Sequence, residues 1–246
     1  MSQRITQIEQ WFQTALGQRL LSAEIQALQL LLPDLFGYHL LQLSMIGQGR
    51  LLETSRIGHR FLLTDTLIKQ PDYATVYAHM DALPFAAESI DVVVLPHVLE
   101  FHDNPHAILR EVERVLVPEG YVILLGFNPI SLWGLWRWLF VWRKIAPWNG
   151  DFLTALRIKD WLSLLSFDLV EHSTFFFAPP FQSNYLTTHS VDFLELLGSH
   201  AAWNFGAIYL LMARKRCVAL TPLALQWSNN SAFFPKVMGR QIKKSL

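Results

Sequence analysis

Three polar groups crowd one short stretch, "LPHVLEFHDNPH": His97, Glu100 and His102, at the end of an apolar run that reads as a buried strand. Beyond the strand ends of an open α/β sheet is where such folds bind ligands. A histidine there can take or give a proton near neutral pH, so His97 is the candidate general base. A second reading leaves His97 in a polar loop, with His102 and Asp103 helping to start the next helix. A metal set of His97, His102, His106 and Asp103 is disfavoured, because Pro105 and the helix start break the ligand spacing and no cysteine joins it; no metal is expected.

A second constellation lies upstream. In "HLLQLSMIGQGRLLE" an apolar run stops at Gly47 and Gly49 and resumes as an amphipathic segment, the order of a nucleotide-binding strand, loop and helix. Glycines let backbone approach a ligand without a Cβ clash. The pair alone also suits an ordinary turn.

These groups need a scaffold, and the hydrophobic pattern supplies one. Apolar runs at 39–44, 60–64, 75–79, 91–95 and 121–126 alternate with turn or helix signals, which predicts a parallel sheet. The clearest helix covers 105–117: Asn104 caps it, Pro105 opens it, Ile108, Leu109, Val112, Val115 and Leu116 form its stripe, and Pro118 and Gly120 stop it. Residues 5–32 read as a helical preface, with Ser22 as candidate cap of its second segment before Pro33. Further helices are expected at 155–165 and 189–199, an apolar run at 167–177, and a last strand in "FGAIYLLMARKR".

Three units follow: a helical preface at 1–37, an α/β domain at 38–216 and a basic tail at 217–246, expected to be largely disordered. The net charge is zero, which gives no whole-chain case for nucleic acid. Its distribution is uneven: residues 196–246 carry seven Lys and Arg and no acid. One cysteine, Cys217, excludes an internal disulfide, and the N-terminus lacks the apolar stretch of a signal peptide; a cytoplasmic location is expected.

The segment from Met80 to Phe127 resembles the type 11 group of class I S-adenosylmethionine-dependent methyltransferases. The "DALPF" block, the "IDVVV" strand followed by "NPHAILREVERVL", and "VPEGYVILL" match three successive family signatures. A weaker resemblance runs from Tyr38 to Arg216, and the chain is similar to a small bacterial group sharing "FGYHLLQL" and "GFNPISLWGL". The resemblance implies a Rossmann-like, mostly parallel seven-stranded sheet with helices on both faces. It implies S-adenosyl-L-methionine as cofactor, and methyl transfer to a small, hydrophobic or aromatic acceptor.

It also implies roles for residues. Gly47 and Gly49 match the last two glycines of the family's glycine-rich loop, Asp65 its ribose acid and Asp81 its adenine acid, with backbone bonds from Ala82. The loop departs from the pattern: Leu43, or Gln42 if one residue is inserted, replaces its acid, and Gln42 offers an amide without the charge. Only fifteen residues separate Asp65 from Asp81. A rival reading is therefore a methyltransferase fold that has lost turnover and serves as a binding module.

On the acceptor side, "FNPI" is similar to an Asn-Pro motif of amino-methyltransferases, one strand later than theirs; Asn128 faces the acceptor or Pro129 merely turns the chain. The stretch Ile130–Lys144 holds four tryptophans, Trp133 among them. It reads as a lid over the acceptor, as an interfacial membrane helix with Arg137, Arg143 and Lys144 beside phosphates, or as a helix packed on the sheet. It is too interrupted to span a bilayer.

Overall fold

A computed structural model describes residues 2–44, 49–65, 73–140, 145–179 and 205–217. The five apolar runs form parallel strands β1 (His39–Leu43), β2 (His59–Thr64), β3 (Ala74–Tyr77), β4 (Ile90–Pro96) and β5 (Leu116–Phe127). Two more strands, β6 (Phe167–Phe175) and β7 (Ile208–Lys215), complete a seven-stranded sheet ordered β3-β2-β1-β4-β5-β7-β6. β7 runs antiparallel between β5 and β6. The sheet is the mostly parallel Rossmann-like one expected. Its central strands, covered on both sides, read as near-continuous apolar runs; Leu40, Leu41, Val92, Val93, Val94 and Ile123 are fully buried.

The fold begins with α1 (Ser2–Phe12) and α2 (Ala15–Leu31). The break falls at Thr14, whose hydroxyl accepts the Gly17 N–H and donates to the Trp11 carbonyl. Ser22 is no cap: it lies inside α2 with its hydroxyl turned back to the Gln18 carbonyl, 2.9 Å away. Ile8, Phe12, Leu20, Leu21 and Leu28 join the hydrophobic cluster that contains the strands, so the preface shares the sheet's core.

After β4 come a short helix, α3 (Val98–Phe101), and α4 (Pro105–Val115). Asn104 caps α4 by accepting the Ala107 N–H, and Ile108, Leu109, Val112 and Val115 bury its stripe. The helix stops at Val115, before the expected 117. Val117 precedes proline and is biased to extended backbone, and Leu116 already pairs with Ile90 as the start of β5. α5 (Leu132–Phe140) and α6 (Ala155–Leu164) follow.

The β1–β2 connection differs from the strand-loop-helix order. The described chain resumes as a four-residue 3₁₀ turn, Gly49–Leu52, with Leu51 and Leu52 buried. Arg60 of β2 donates to the Leu52 and Glu53 carbonyls, and Ser55 accepts the Ile57 N–H. These bonds take up groups that a continuing helix would use. Gly47, Arg143, Lys144, the 189–199 helix and residues 218–246 of the tail lie outside the described residues.

Candidate active site

All the expected site groups within the described residues sit at the carboxyl ends of the parallel strands. Gln42 is buried near the end of β1, and Gly49 opens the 3₁₀ turn beyond it. Asp65 follows β2 directly and is exposed; Asp81 and Ala82 are exposed in the turn after β3. The Ala82 N–H is already used, donating to the His79 carbonyl at 3.2 Å.

The turn carrying Asp81 is held from α4. Glu111 accepts the Leu83 N–H at 2.8 Å, while Arg114 donates to the carbonyls of Leu83 and Phe85 at 2.9 and 3.0 Å and pairs with Glu111. Hydrogen bonds from Arg114 hold the Glu111 carboxyl below its ordinary value. The E-x-x-R spacing of "REVER" thus has a physical purpose: two residues one helical turn apart fix the loop that presents Asp81.

The ends of β4 and β5 are built differently. His97 leaves β4 in the left-handed conformation, φ 54°, with its N–H donating to the Leu125 carbonyl. Its Nε2 lies 2.5 Å from Oε1 of Glu24 on α2, and its Nδ1 lies 3.1 Å from Oε2 of Glu100 on α3. The other Glu100 oxygen accepts the Phe127 N–H at the end of β5. His97, Glu24 and Glu100 are 2, 1 and 1% exposed. Burial alone would lower the His97 pKa, but the charge of Glu24 and hydrogen bonds to both carboxylates raise it to about 10. His97 is therefore an imidazolium at neutral pH, with both ring nitrogens occupied. Burial raises the Glu100 carboxyl, against the hydrogen bond and charge of His97. Tyr209 of β7 is pushed well up by burial and by the nearby Glu100; a Cβ at Gly126 would stand 2.3 Å from its hydroxyl, so glycine alone fits there.

Asn128 and Trp133 are tied inward. The Asn128 amide donates to the Gly206 carbonyl, its side-chain oxygen accepts the Ile130 N–H, and its own N–H donates to Ala207. Asn128 thus joins the start of β7 to the turn before α5. Trp133 is 1% exposed, donates to the Ala178 carbonyl at 2.8 Å, and stacks on Phe127 at 5.7 Å. Trp11, Trp148 and Phe176 surround it. Of the remaining α5 candidates, Arg137 donates to the Gly150 carbonyl and approaches Asp151.

The imagined metal ligands disperse: His97 is buried between carboxylates, His102 accepts the Asn104 N–H, and His106 packs on Trp161. Among the described residues no group of three His, Cys, Asp or Glu could hold a metal ion, and no helix is long and apolar enough to cross a membrane.

Sequence reading missed Glu24. Its signal was present: Leu20, Glu24 and Leu28 fall at spacing four, which puts an acid in the buried stripe of α2. Glu9 of α1 was also missed; burial and the neighbouring Asp65 raise its carboxyl, so α1 reaches the end of β2.

Residues 61–124 match a family profile described as a methyltransferase domain. The chain is 34% identical over 212 residues to the uncharacterized protein YafS of Escherichia coli K12, covering 85% of this chain and 82% of that one. It is 26% identical over 184 residues to the uncharacterized protein Rv2003c of Mycobacterium tuberculosis, covering 71% of this chain and 62% of that one. Among solved structures, an S-adenosylmethionine-dependent methyltransferase of Thermotoga maritima, titled a possible histamine N-methyltransferase, aligns with TM-score 0.63 at 19% identity, covering 85% of this chain and 94% of that one. A corresponding enzyme of Archaeoglobus fulgidus aligns with TM-score 0.58 at 16% identity, covering 80 and 94%.

Proposed function

Because the chain belongs to the methyltransferase-domain family, we propose that it transfers a methyl group from S-adenosyl-L-methionine to a small apolar or aromatic acceptor. The reading rests on one observation: two exposed carboxylates, Asp65 and Asp81, lie just beyond the adjacent parallel strands β2 and β3. That donor set fits a nucleoside, since a carboxylate accepts two neighbouring ribose hydroxyls and a second can accept an adenine amino group. When bound, the cofactor supplies an electrophilic methyl on a sulfonium.

The chain's residues would divide the work by strand. Asp65 and Asp81 hold the nucleoside, with Ala82 in the turn beside Asp81, while Gly47 and Gly49 admit backbone to the methionine part. Gln42 stands beneath as a neutral amide where a family acid is usual. His97 is assigned a positioning role: as an imidazolium it has no lone pair for a proton, and it ties α2 to the ends of β4 and β5. Asn128 and Trp133 act from behind the acceptor, one fixing the turn after β5 and the other its aromatic wall. Catalysis then comes from proximity and exclusion of water, and the acceptor nucleophile is one already unprotonated at working pH.

Titration calorimetry with S-adenosylmethionine and S-adenosylhomocysteine tests this. Wild type releases heat; Asp65→Ala and Asp81→Ala each weaken binding by roughly 10- to 100-fold, the worth of a hydrogen bond to a charged group. No heat from a folded wild type favours a second reading, a non-catalytic binding module. The specific support for that reading is the 3₁₀ turn Gly49–Leu52 standing where a helix would follow the glycine loop.

A further inference from the structure

α5 turns one side into the protein and leaves the other apolar. Trp133 is its buried anchor, while Leu132, Leu135 and Leu139 recur at helical spacing on the outer side with Trp138 beside them. With Ile130 before the helix and Ile145 after it, these six side chains are each 46–74% exposed, Trp138 the most. Phe205, 61% exposed, precedes Gly206, whose carbonyl is bonded to Asn128, so it adjoins the same turn. Isolated exposed apolar residues are ordinary, but a run of this kind on one helix marks a docking surface.

Charge identifies the occupant. Residues 120–150 contain no Asp or Glu, the next acid, Asp151, approaches Arg137, and in the sequence Arg143 and Lys144 come three and four residues after the last residue of α5. The sequence from 218 onward adds four basic residues and no acid, whereas Arg214, Lys215 and Arg216 lie at the other end of β7 and pair with Glu119, Glu113 and Asp168. An apolar strip with a tryptophan, flanked by cations and free of acids, complements an anionic lipid surface, where Trp sits at headgroup level and Lys and Arg meet phosphates.

We propose that α5 docks the protein on an anionic membrane surface, lying in the interface with Leu132, Leu135, Trp138 and Leu139 inserted. Four residues separate the end of β5 from the start of α5, with Asn128 pinning the turn between them. Docking therefore brings the carboxyl end of β5 within about one helix diameter, roughly 10 Å, of the headgroups, with β2 three strands, roughly 14 Å, further along the same sheet edge. The proposal does not depend on methyl transfer, and its test needs no cofactor.

Flotation of the full chain with vesicles of one part phosphatidylglycerol to three parts phosphatidylcholine should carry protein to the top of the gradient. Vesicles of phosphatidylcholine alone, or added salt, should carry much less. Leu135→Glu and Trp138→Glu should each cut the bound fraction by about tenfold, since insertion strength follows the apolar area buried. Both side chains are exposed, so thermal unfolding should match wild type and exclude misfolding as the cause. Arg143→Gln with Lys144→Gln should lower binding less and remove part of its salt dependence. The proposal is overturned if wild type stays at the bottom with anionic vesicles, or if it floats and the Leu135 and Trp138 variants float equally. It is also overturned if wild type is a dimer by sedimentation that both variants make monomeric, for then a second copy covers the helix.

Discussion

The strand-end edge of this sheet has two halves built on opposite principles. At β2 and β3 the polar groups, Asp65, Asp81 and Ala82, are exposed, and the backbone below them is a brief 3₁₀ turn and a four-residue strand. At β4 and β5 the polar groups, Glu24, His97 and Glu100, are sealed from water and roofed by α1 and α2, with Phe12 and Phe127 against the imidazole. Exposed carboxylates face solvent and contribute little to stability. Buried ones are committed to each other, and their geometry holds the fold. Under the proposed function, one half serves recognition and the other holds shape.

The widest gap between the halves should appear on removing a charge from each. His97→Ala leaves Glu24 and Glu100 buried without their cation and should destabilise by about 3–5 kcal/mol in urea unfolding. Asp65→Ala should stay within about 0.5 kcal/mol. Equal small costs would show that the buried half is not held by charge.

A pH series sharpens the same contrast. Folding raises His97 from 6.5 to about 10, so the folded chain keeps a proton that the unfolded chain gives up near 6.5. The stabilisation is complete below about pH 6.5 and is lost as pH climbs toward 10, at up to about 1.4 kcal/mol per unit. Burial-raised Glu100 has the same sign and does not cancel the trend. In His97→Gln the decline between pH 7 and 9 should flatten; a decline as steep as wild type would assign the effect to other groups.

The two halves were also unequally legible. Six strands could be read as strands from their apolar runs, while β6, interrupted by Asp168, Glu171 and His172, read only as an apolar run; Asp65 and Asp81 came from the family resemblance, and Asp81 stands four residues past β3. The triad was hidden: Glu24 and His97 stand 73 residues apart, and no local pattern gives the register of α2 over β4. His97 looked like a base because sequence shows a residue type and not its neighbours. Within "LWGLWRWLF" apolar residues lie on nearly every side, so periodicity could not tell Trp133, inside, from Trp138, outside. The 3₁₀ turn escaped notice because the bonds that end it come from Arg60 of the following strand.

Between the halves stands the Glu111–Arg114 pair, buried on neither side but fixing the exposed loop. Arg114→Ala removes donors to the Leu83 and Phe85 carbonyls. Partial exposure screens the loss, which should be about 1–2 kcal/mol. Its larger consequence belongs to the open half: binding of S-adenosylhomocysteine should weaken several-fold although Arg114 lies behind the loop, and Arg114→Lys should restore less than half of that, lacking the planar fork. If affinity is unchanged, Asp81 needs no support from α4.

The smallest effect concerns how the roof over the buried half is hinged. Thr14 closes the turn between α1 and α2 with two hydrogen bonds, one accepted from Gly17 and one donated to Trp11. Thr14→Ala should therefore cost about 1 kcal/mol, the usual value of an N-cap. Ser22 only bonds back to Gln18 inside the helix, a contact that adds little, so Ser22→Ala should change stability by less than about 0.5 kcal/mol. The ratio of the two matters more than either value. Glu24 lies ten residues beyond Thr14 on the same helix, so loosening the cap lets α2 rotate away from His97. Thr14→Ala should then reduce the pH-dependent decline as well as total stability, whereas Ser22→Ala should leave the slope intact.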